Sequence, residues 1–305
     1  MRIFILALFA IFTAVSSLHG QPPSAAYFNP EWSPDGKKIT FESSKSGKFA
    51  VYVINTDGTE LQKLTSDDSD STQPSWSPTS KQIAFVSNRD GPHHIYIMNA
   101  DGSEQRRLTD SPDDDLTPSF SPKGDHIVFV SKPASEYVGN IFVISTSGAG
   151  RGRLTEPLAN FSSPQWAPNG KTIVFTSNIL SAKNPRQMTE DERKNVRNSN
   201  EIYVIDKNGK DMKNLTNNSF ADAYPRWSKN GKSIYFLSFK DAVPNIYRMG
   251  PNGSNVRQVA AGSIVPEPNI SPDETRFCYS KQVEGTWGIY VYTIKTREVK
   301  LLAGG

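Results

Sequence analysis

Residues 30–39 read Pro30-Glu31-Trp32-Ser33-Pro34-Asp35-Gly36-Lys37-Lys38-Ile39: an aromatic residue, a turn, then the apolar start of a strand. Ser33-Pro34-Asp35-Gly36 places proline second in the turn, where its fixed φ fits, and glycine fourth. The arrangement recurs along the chain. Positions equivalent to Trp32 are Trp76, Phe120, Trp166, Trp227 and Ile270, in steps of 44, 44, 46, 61 and 43 residues. Seven residues after each anchor comes an apolar-x-aromatic triplet: Ile39/Phe41, Ile83/Phe85, Ile127/Phe129, Ile173/Phe175, Ile234/Phe236 and Phe277/Tyr279. A second triplet follows in every copy, beginning at Val51, Ile95, Ile141, Ile202, Ile246 and Ile289. Thirteen residues beyond its start lies an apolar residue followed by a small one: Leu64-Thr65, Leu108-Thr109, Leu154-Thr155, Leu215-Thr216, Val259-Ala260 and Leu302-Ala303.

Ile, Val, Tyr and Phe dominate these segments, and such side chains suit a pleated, half-buried surface. Asp57-Gly58, Asp101-Gly102, Asn208-Gly209 and Asn252-Gly253 mark tight hairpins late in the unit. Each unit is therefore predicted to be a four-stranded antiparallel meander: strand A at the anchor, B and C at the triplets, D at the apolar–small pair. One meander cannot bury both its faces, whereas six stacked about an axis can. The predicted fold is all-β, a six-bladed β-propeller over 21–305, with blades at about 29–66, 73–110, 117–156, 163–217, 224–261 and 267–303. The anchors are expected to pack between blades. The stretch Ser24–Phe28 is a candidate extra edge strand for the last blade.

Composition agrees with a turn-rich soluble protein: 36% hydrophobic residues, 21 Gly and 21 Pro in 305 residues. The 34 Lys+Arg barely exceed the 31 Asp+Glu, which gives no electrostatic case for nucleic acid. The single cysteine, Cys278, excludes an intrachain disulfide framework and sits mid-strand, where a buried, inert thiol is expected. Arg2 precedes an apolar stretch from Ile3 to Val15, followed by Ser16, Ser17 and Gly20. That is the pattern of a secretory signal peptide over residues 1–20, short of the length that spans a bilayer; a short, uncleaved membrane anchor is the alternative. The mature protein is expected in the periplasm or secreted, with no membrane span.

With these residues in place, the units resemble the WD40-like (PD40) repeats of the TolB family. Trp32-Ser-Pro-Asp-Gly-Lys-Lys-Ile39 is the nearest single copy, and residues 85–109 are similarly typical. The resemblance covers about residues 28–303 and implies a propeller and a cell-envelope binding role. TolB proteins carry an α/β domain before the propeller, and the resemblance does not extend to it.

Connections A–B and C–D of a meander lie on one face, and B–C and D–A on the other. Large length variation falls only on B–C, where blade four carries an excursion over about Asn178 to Asn200. Variable loops on a fixed scaffold are where recognition is usually placed. Thr189-Glu190-Asp191-Glu192 reads as a capping box for a short exposed helix bearing Arg193, Lys194 and Arg197, with Arg186 before it; a polar loop is the alternative. The same face collects Asp67, Asp68 and Asp70, then Asp113, Asp114 and Asp115, with Asp222 further round. These carboxylates form either a negative funnel for a basic partner segment or an ordinary solvated loop set.

Catalytic signatures are absent: there is no Gly-x-Ser-x-Gly elbow and no Gly-rich phosphate loop. His93 and His94 are expected to be a surface pair, because strand neighbours alternate sides and do not readily share a metal. The expected function is a non-enzymatic, monomeric binding scaffold without cofactor or metal, recognising a protein or peptide on the B–C/D–A face. The alternative is a glycan- or small-ligand-binding propeller, with hydrolase or lyase activity at the channel mouth.

Overall fold

In the first repeat, the sequence turns where proline and glycine direct it. Strands β1 (Tyr27–Trp32), β2 (Lys38–Ser43), β3 (Ala50–Asn55) and β4 (Gln62–Lys63) pair in that order, all antiparallel. Gly36 N–H donates to Ser33 O (2.8 Å), closing the turn read from Ser33-Pro34-Asp35-Gly36. A computed structural model describes residues 25–133, 138–156, 159–178, 200–241, 243–261 and 267–304.

Five more sheets repeat the first. Blade two holds β5 (Ser71–Trp76), β6 (Gln82–Ser87), β7 (His94–Asn99) and β8 (Arg106–Arg107). Blade three holds β9 (Asp114–Phe120), β10 (His126–Lys132), β11 (Asn140–Ser145) and β12 (Gly152–Arg153). Blade four holds β13 (Phe161–Trp166), β14 (Thr172–Ser177), β15 (Glu201–Asp206) and β16 (Lys213–Asn214). Blade five holds β17 (Asp222–Trp227), β18 (Ile234–Ser238), β19 (Asn245–Met249) and β20 (Arg257–Ala260). Blade six holds β21 (Asn269–Ile270), β22 (Arg276–Val283), β23 (Thr286–Thr293) and β24 (Val299–Gly304). The fold is a six-bladed β-propeller, with no helix among the described residues.

The apolar–small pairs have a specific task. Outer strands β4, β8, β12 and β16 are only two residues long. In those blades the threonine hydroxyl replaces a ladder bond: Thr65, Thr109, Thr155 and Thr216 accept the N–H of Val51, Ile95, Ile141 and Ile202 at 2.9–3.0 Å. Blades five and six have Ala260 and Ala303 instead, and there the longer β20 and β24 pair directly with Ile246 and Ile289.

Each sheet packs its B-strand ring on its C-strand ring and both against a neighbour. The six ring pairs, from Phe41–Tyr52 to Tyr279–Tyr290, lie 5.6–6.0 Å apart. Trp76, Phe85 and Tyr96 of blade two cluster with Val51 and Val53 of blade one, so the anchor does sit between blades.

Ring closure uses the same contacts as every other seam. Trp32, Phe41 and Tyr52 of blade one cluster with Cys278, Ile289 and Val291 of blade six. Ser24–Phe28 is a candidate edge strand for the last blade; of it, residues 25–28 are described, and the structure places Tyr27 and Phe28 in blade one instead. Tyr27 and Phe28 pair with Ser43 and Glu42 inside blade one, because β1 needs them to reach the end of β2. The Phe28 ring meets blade six edge-on to Trp287 at 4.8 Å.

The innermost strands carry one more repeated feature. Proline stands two residues before every anchor, at Pro30, Pro74, Pro118, Pro164, Pro225 and Pro268. The residue before it is left-handed each time: Asn29, Gln73, Thr117, Ser163, Tyr224 and Glu267 have φ of 50–59°. In the first five blades the register slips across this Xaa-Pro pair, a β-bulge on an edge strand that proline tolerates. Left-handed non-glycine backbone costs on the order of 1–3 kcal/mol per residue, so neighbours must hold it. They do so across the seams. Glu42 Oε2 accepts Gln73 N–H (2.6 Å), Gln73 Oε1 accepts Thr117 N–H (2.8 Å), and Thr176 Oγ1 accepts Tyr224 N–H (3.1 Å).

Candidate binding face and axial channel

D–A and B–C loops meet at one end of the ring. Asp70 Oδ1 accepts Phe49 N–H (2.9 Å), and Ser46 Oγ donates to Asp67 Oδ1 (2.6 Å). Asp114 Oδ1 accepts His93 N–H (3.0 Å) and stands 2.9 Å from its Nδ1. Asn178 and Asn200, which bracket the excursion, belong to this end: Asn178 Oδ1 accepts Asn160 N–H (3.0 Å) and Asn200 O accepts Asp222 N–H (2.7 Å). Arg186, Arg193, Lys194, Arg197 and the capping-box segment lie outside the described residues, as do residues 1–20.

The seven aspartates sit at the same end in very different environments. Asp67 and Asp68 are exposed, and Asp67 is ion-paired with Lys63. Hydrogen bonds from Lys63 and Ser46 hold the Asp67 carboxyl below its usual range. Asp70 is spent on Phe49, and Asp113 is half-buried. Burial raises the Asp114 carboxyl, but the His93 backbone and ring outweigh it and bring it below its usual value. Asp115 is 0% exposed and receives Arg151 Nη2 (3.2 Å) and Ser111 Oγ (3.0 Å). Asp222 is 1% exposed, takes Asn218 Nδ2 at 2.6 Å, and has its carboxyl raised by burial. Of the seven, Asp67 and Asp68 are exposed, Asp70, Asp113 and Asp114 are half-buried, and Asp115 and Asp222 are buried.

The expected surface histidine pair is corrected. His93 is on the surface, but His94 opens β7 and turns inward, 1% exposed, with Nε2 2.8 Å from Arg107 Nη2. Burial first, then the Arg107 charge, lowers its pKa, so it accepts that hydrogen bond as a neutral ring. Strand alternation separates the two as anticipated; the inward one simply finds a partner. Cys278 is fully buried, and burial pushes its thiol well up, as expected of an inert core cysteine.

The axis is lined by the Xaa-Pro-Xaa segments of the inner strands, among them Asn29, Glu31, Gln73, Gln165, Arg226 and Glu267. Glu31 Oε1 accepts Trp76 N–H (3.0 Å), Gln165 Oε1 accepts Trp227 N–H (2.7 Å) and Asn269 Oδ1 accepts Trp32 N–H (3.2 Å). Burial raises the carboxyls of Glu31 and Glu267, while Arg226 pulls both back. Glu42, at the wall, is raised to about 7 by burial; Asn29 and Gln73 oppose the shift, and Glu267 and Asp70 add to it.

The match that decides the family spans most of the chain: the model described as PD40, TolB beta propeller domain, covers residues 7–199 and 192–305. The chain belongs to the TolB β-propeller family. No curated protein matches it. TolB from Acinetobacter baumannii is similar in structure, with TM-score 0.70 and 20% identity over 97% of this chain and 67% of that one. The putative TolB from Agrobacterium tumefaciens aligns with TM-score 0.66 and 21% identity, over 85% of this chain and 90% of its own. An oligogalacturonate lyase from Vibrio parahaemolyticus shares the fold at TM-score 0.61 and 13% identity, over 93% of this chain and 80% of that one.

Within this TolB-type scaffold, the axial pocket between these segments has a cavity volume of about 50 Å³, enough to hold water. Among the described residues, no three His, Cys, Asp or Glu side chains group as a metal site requires. Among the described residues there is no helix long and apolar enough to cross a membrane. The axial carboxylates and Arg226 were not foreseen from sequence. The signal was available: a proline two before each anchor marks the residues on either side of it as axial.

Proposed function

We propose that this TolB-family propeller is an exported, non-enzymatic and monomeric binding scaffold that recognises a protein or peptide partner in the cell envelope or extracellular space. The docking surface is the B–C/D–A face. Asp67, Asp68, Asp70, Asp113, Asp114, Asp115 and Asp222 lie at that end, and the excursion with Arg186, Arg193, Lys194 and Arg197 leaves and returns there. The observation that carries the reading is this convergence: Asn178 and Asn200 are bonded to Asn160 and Asp222, so the one large insertion shares an end with the acidic loops. Loops gathered on a rigid ring are suited to recognition.

The test is capture from an envelope extract by the purified chain, in parallel with a glycan array. A specific protein captured by the wild type and lost on deletion of residues 180–199 is the expected result. Specific glycan binding without a protein partner would overturn it in favour of the ligand-binding alternative. N-terminal sequencing of the exported protein is expected to begin between residues 17 and 21, which checks the assignment of residues 1–20 as a secretory signal.

A further inference from the structure

Two blades bury an aspartate at the same register and treat it differently. Asp115 stands opposite Ser131 in blade three, and Asp222 stands opposite Ser238 in blade five. They are 0% and 1% exposed. In blade three, Arg151 lies over Phe142 (4.6 Å) and Phe129 (5.6 Å) and donates to Asp115 Oδ1 (3.2 Å) and Ser131 Oγ (2.6 Å). One guanidinium thus covers an aromatic pair and neutralises the buried carboxylate.

Blade five has the same aromatic pair, Phe236 and Tyr247 at 6.0 Å, but Val256 occupies the position of Arg151 and points to solvent. Among the described residues no cation lies over that pair, and Asp222 Oδ1 has no hydrogen-bond partner. A second carboxylate compounds the deficit. Glu201, 6% exposed, accepts Asn218 N–H (3.0 Å) and the Thr216 hydroxyl, and repels Asp222. The side-chain amide of Asn218 covers Asp222 from a loop whose residues 217–220 are all exposed, and the Ser238 and Thr216 hydroxyls also act on its carboxyl. Phe220 and Val243, 37% and 44% exposed, stand on the two loops flanking the pair.

The geometry points to a guanidinium-binding pocket at Glu201 and Asp222, filled by an arginine side chain of the protein partner that docks on this face. The inference rests on the partner-binding reading above and adds the chemistry of the contact. A planar fork of donors serves two carboxylates at once, which an ammonium does less well, and it can lie on a ring as Arg151 does. Two acidic groups are too few for a metal site, and blade three shows which cation this register accepts. Entry requires that the Asn218 amide swing outward. Phe220 and Val243 then offer apolar surface to the residues beside the partner's arginine.

The blocked peptide Ac-Gly-Arg-Phe-NH2, titrated into the full chain and followed by amide NMR, tests this. Saturable shifts at Asn218, Phe220 and Asp222 are expected, at least tenfold weaker for the lysine peptide and lost for the citrulline peptide. Glu201→Gln and Asp222→Asn should each weaken binding at least tenfold while melting no lower than wild type, since each relieves buried repulsion. Val256→Arg, which supplies the guanidinium from within, should raise the melting temperature and abolish peptide binding. Absent shifts, or equal binding of the citrulline peptide, overturn the pocket. In the capture experiment, a partner retained equally by wild type and Asp222→Asn refutes the pocket and leaves the scaffold reading standing. Peptide binding with no partner captured does the reverse.

Discussion

The rings between the blades and the side chains facing the axis come from the same six repeats, yet they vary in opposite ways. Phe41, Phe85, Phe129, Phe175, Phe236 and Tyr279 are at most 2% exposed and nearly identical in volume. The residues just before the anchors are Glu31, Ser75, Ser119, Gln165, Arg226 and Asn269, six positions with acid, base, amide and hydroxyl among them. Between blades the space is closed on every side, so a ring has no substitute of another size. At the axis the requirement is only a polar group able to meet a neighbouring backbone N–H or water, and several side chains satisfy it. Constraint sits between blades, and individuality sits at the axis and in the loops at its end.

The most severe test of that contrast is Phe129→Ala, which should cost about 3–5 kcal/mol in urea unfolding through lost burial and a cavity. Next is Arg151→Met, which strands the Asp115 charge; about 3 kcal/mol should be lost, and most of it regained when Asp115→Asn is added. If the double variant is no more stable than the single one, charge stranding is not the cause.

Glu42 links the axis to pH. Its folded carboxyl, at about 7, lies above the usual glutamate value of about 4.5, so the folded protein binds the proton more tightly than the unfolded chain does. Stability should therefore fall as pH rises from about 4.5 towards 7, by on the order of 2 kcal/mol. Glu42→Gln keeps an acceptor for Gln73 N–H and should flatten that part of the profile; an unchanged slope would place the titration elsewhere. Thr109→Ala should cost about 1 kcal/mol, since Ile95 N–H loses its acceptor in a blade whose outer strand is two residues long. At the axis, Ser119→Ala should change stability by less than about 0.5 kcal/mol. A loss comparable to that of Phe129→Ala would erase the distinction between core and axis.

The fold was legible because its signal is repeated six times. Anchor spacing, triplets and turn residues all follow from closed packing and turn geometry, and both act locally on the chain. The site was legible only as a face. Asp113, Asp114 and Asp115 are three identical letters in a row, yet the first is half-buried, the second bonds His93 and the third is sealed beneath Arg151 from 36 residues away. No periodicity carries that information, since it depends on which side chain crosses the sheet. Glu42 was similarly hidden: its counterparts are Val86, Val130, Thr176, Leu237 and Ser280, so an acid there looks like a strand residue facing out. The prolines before the anchors were visible and would have exposed the axial positions, had their recurrence been weighed with that of the aromatics.

The seam between blades six and one has a consequence for the order of the chain. Asn269 serves Trp32 there as Glu31 serves Trp76, and Pro272 meets Gly36 as Pro78 meets Gly124. Among the described residues no blade lends a strand to another, so the six sheets close without a shared strand. A cyclic reordering of the six units, opened at any D–A loop, would keep every inter-blade contact; the circle is a property of the set of blades and not of their sequence along the polypeptide.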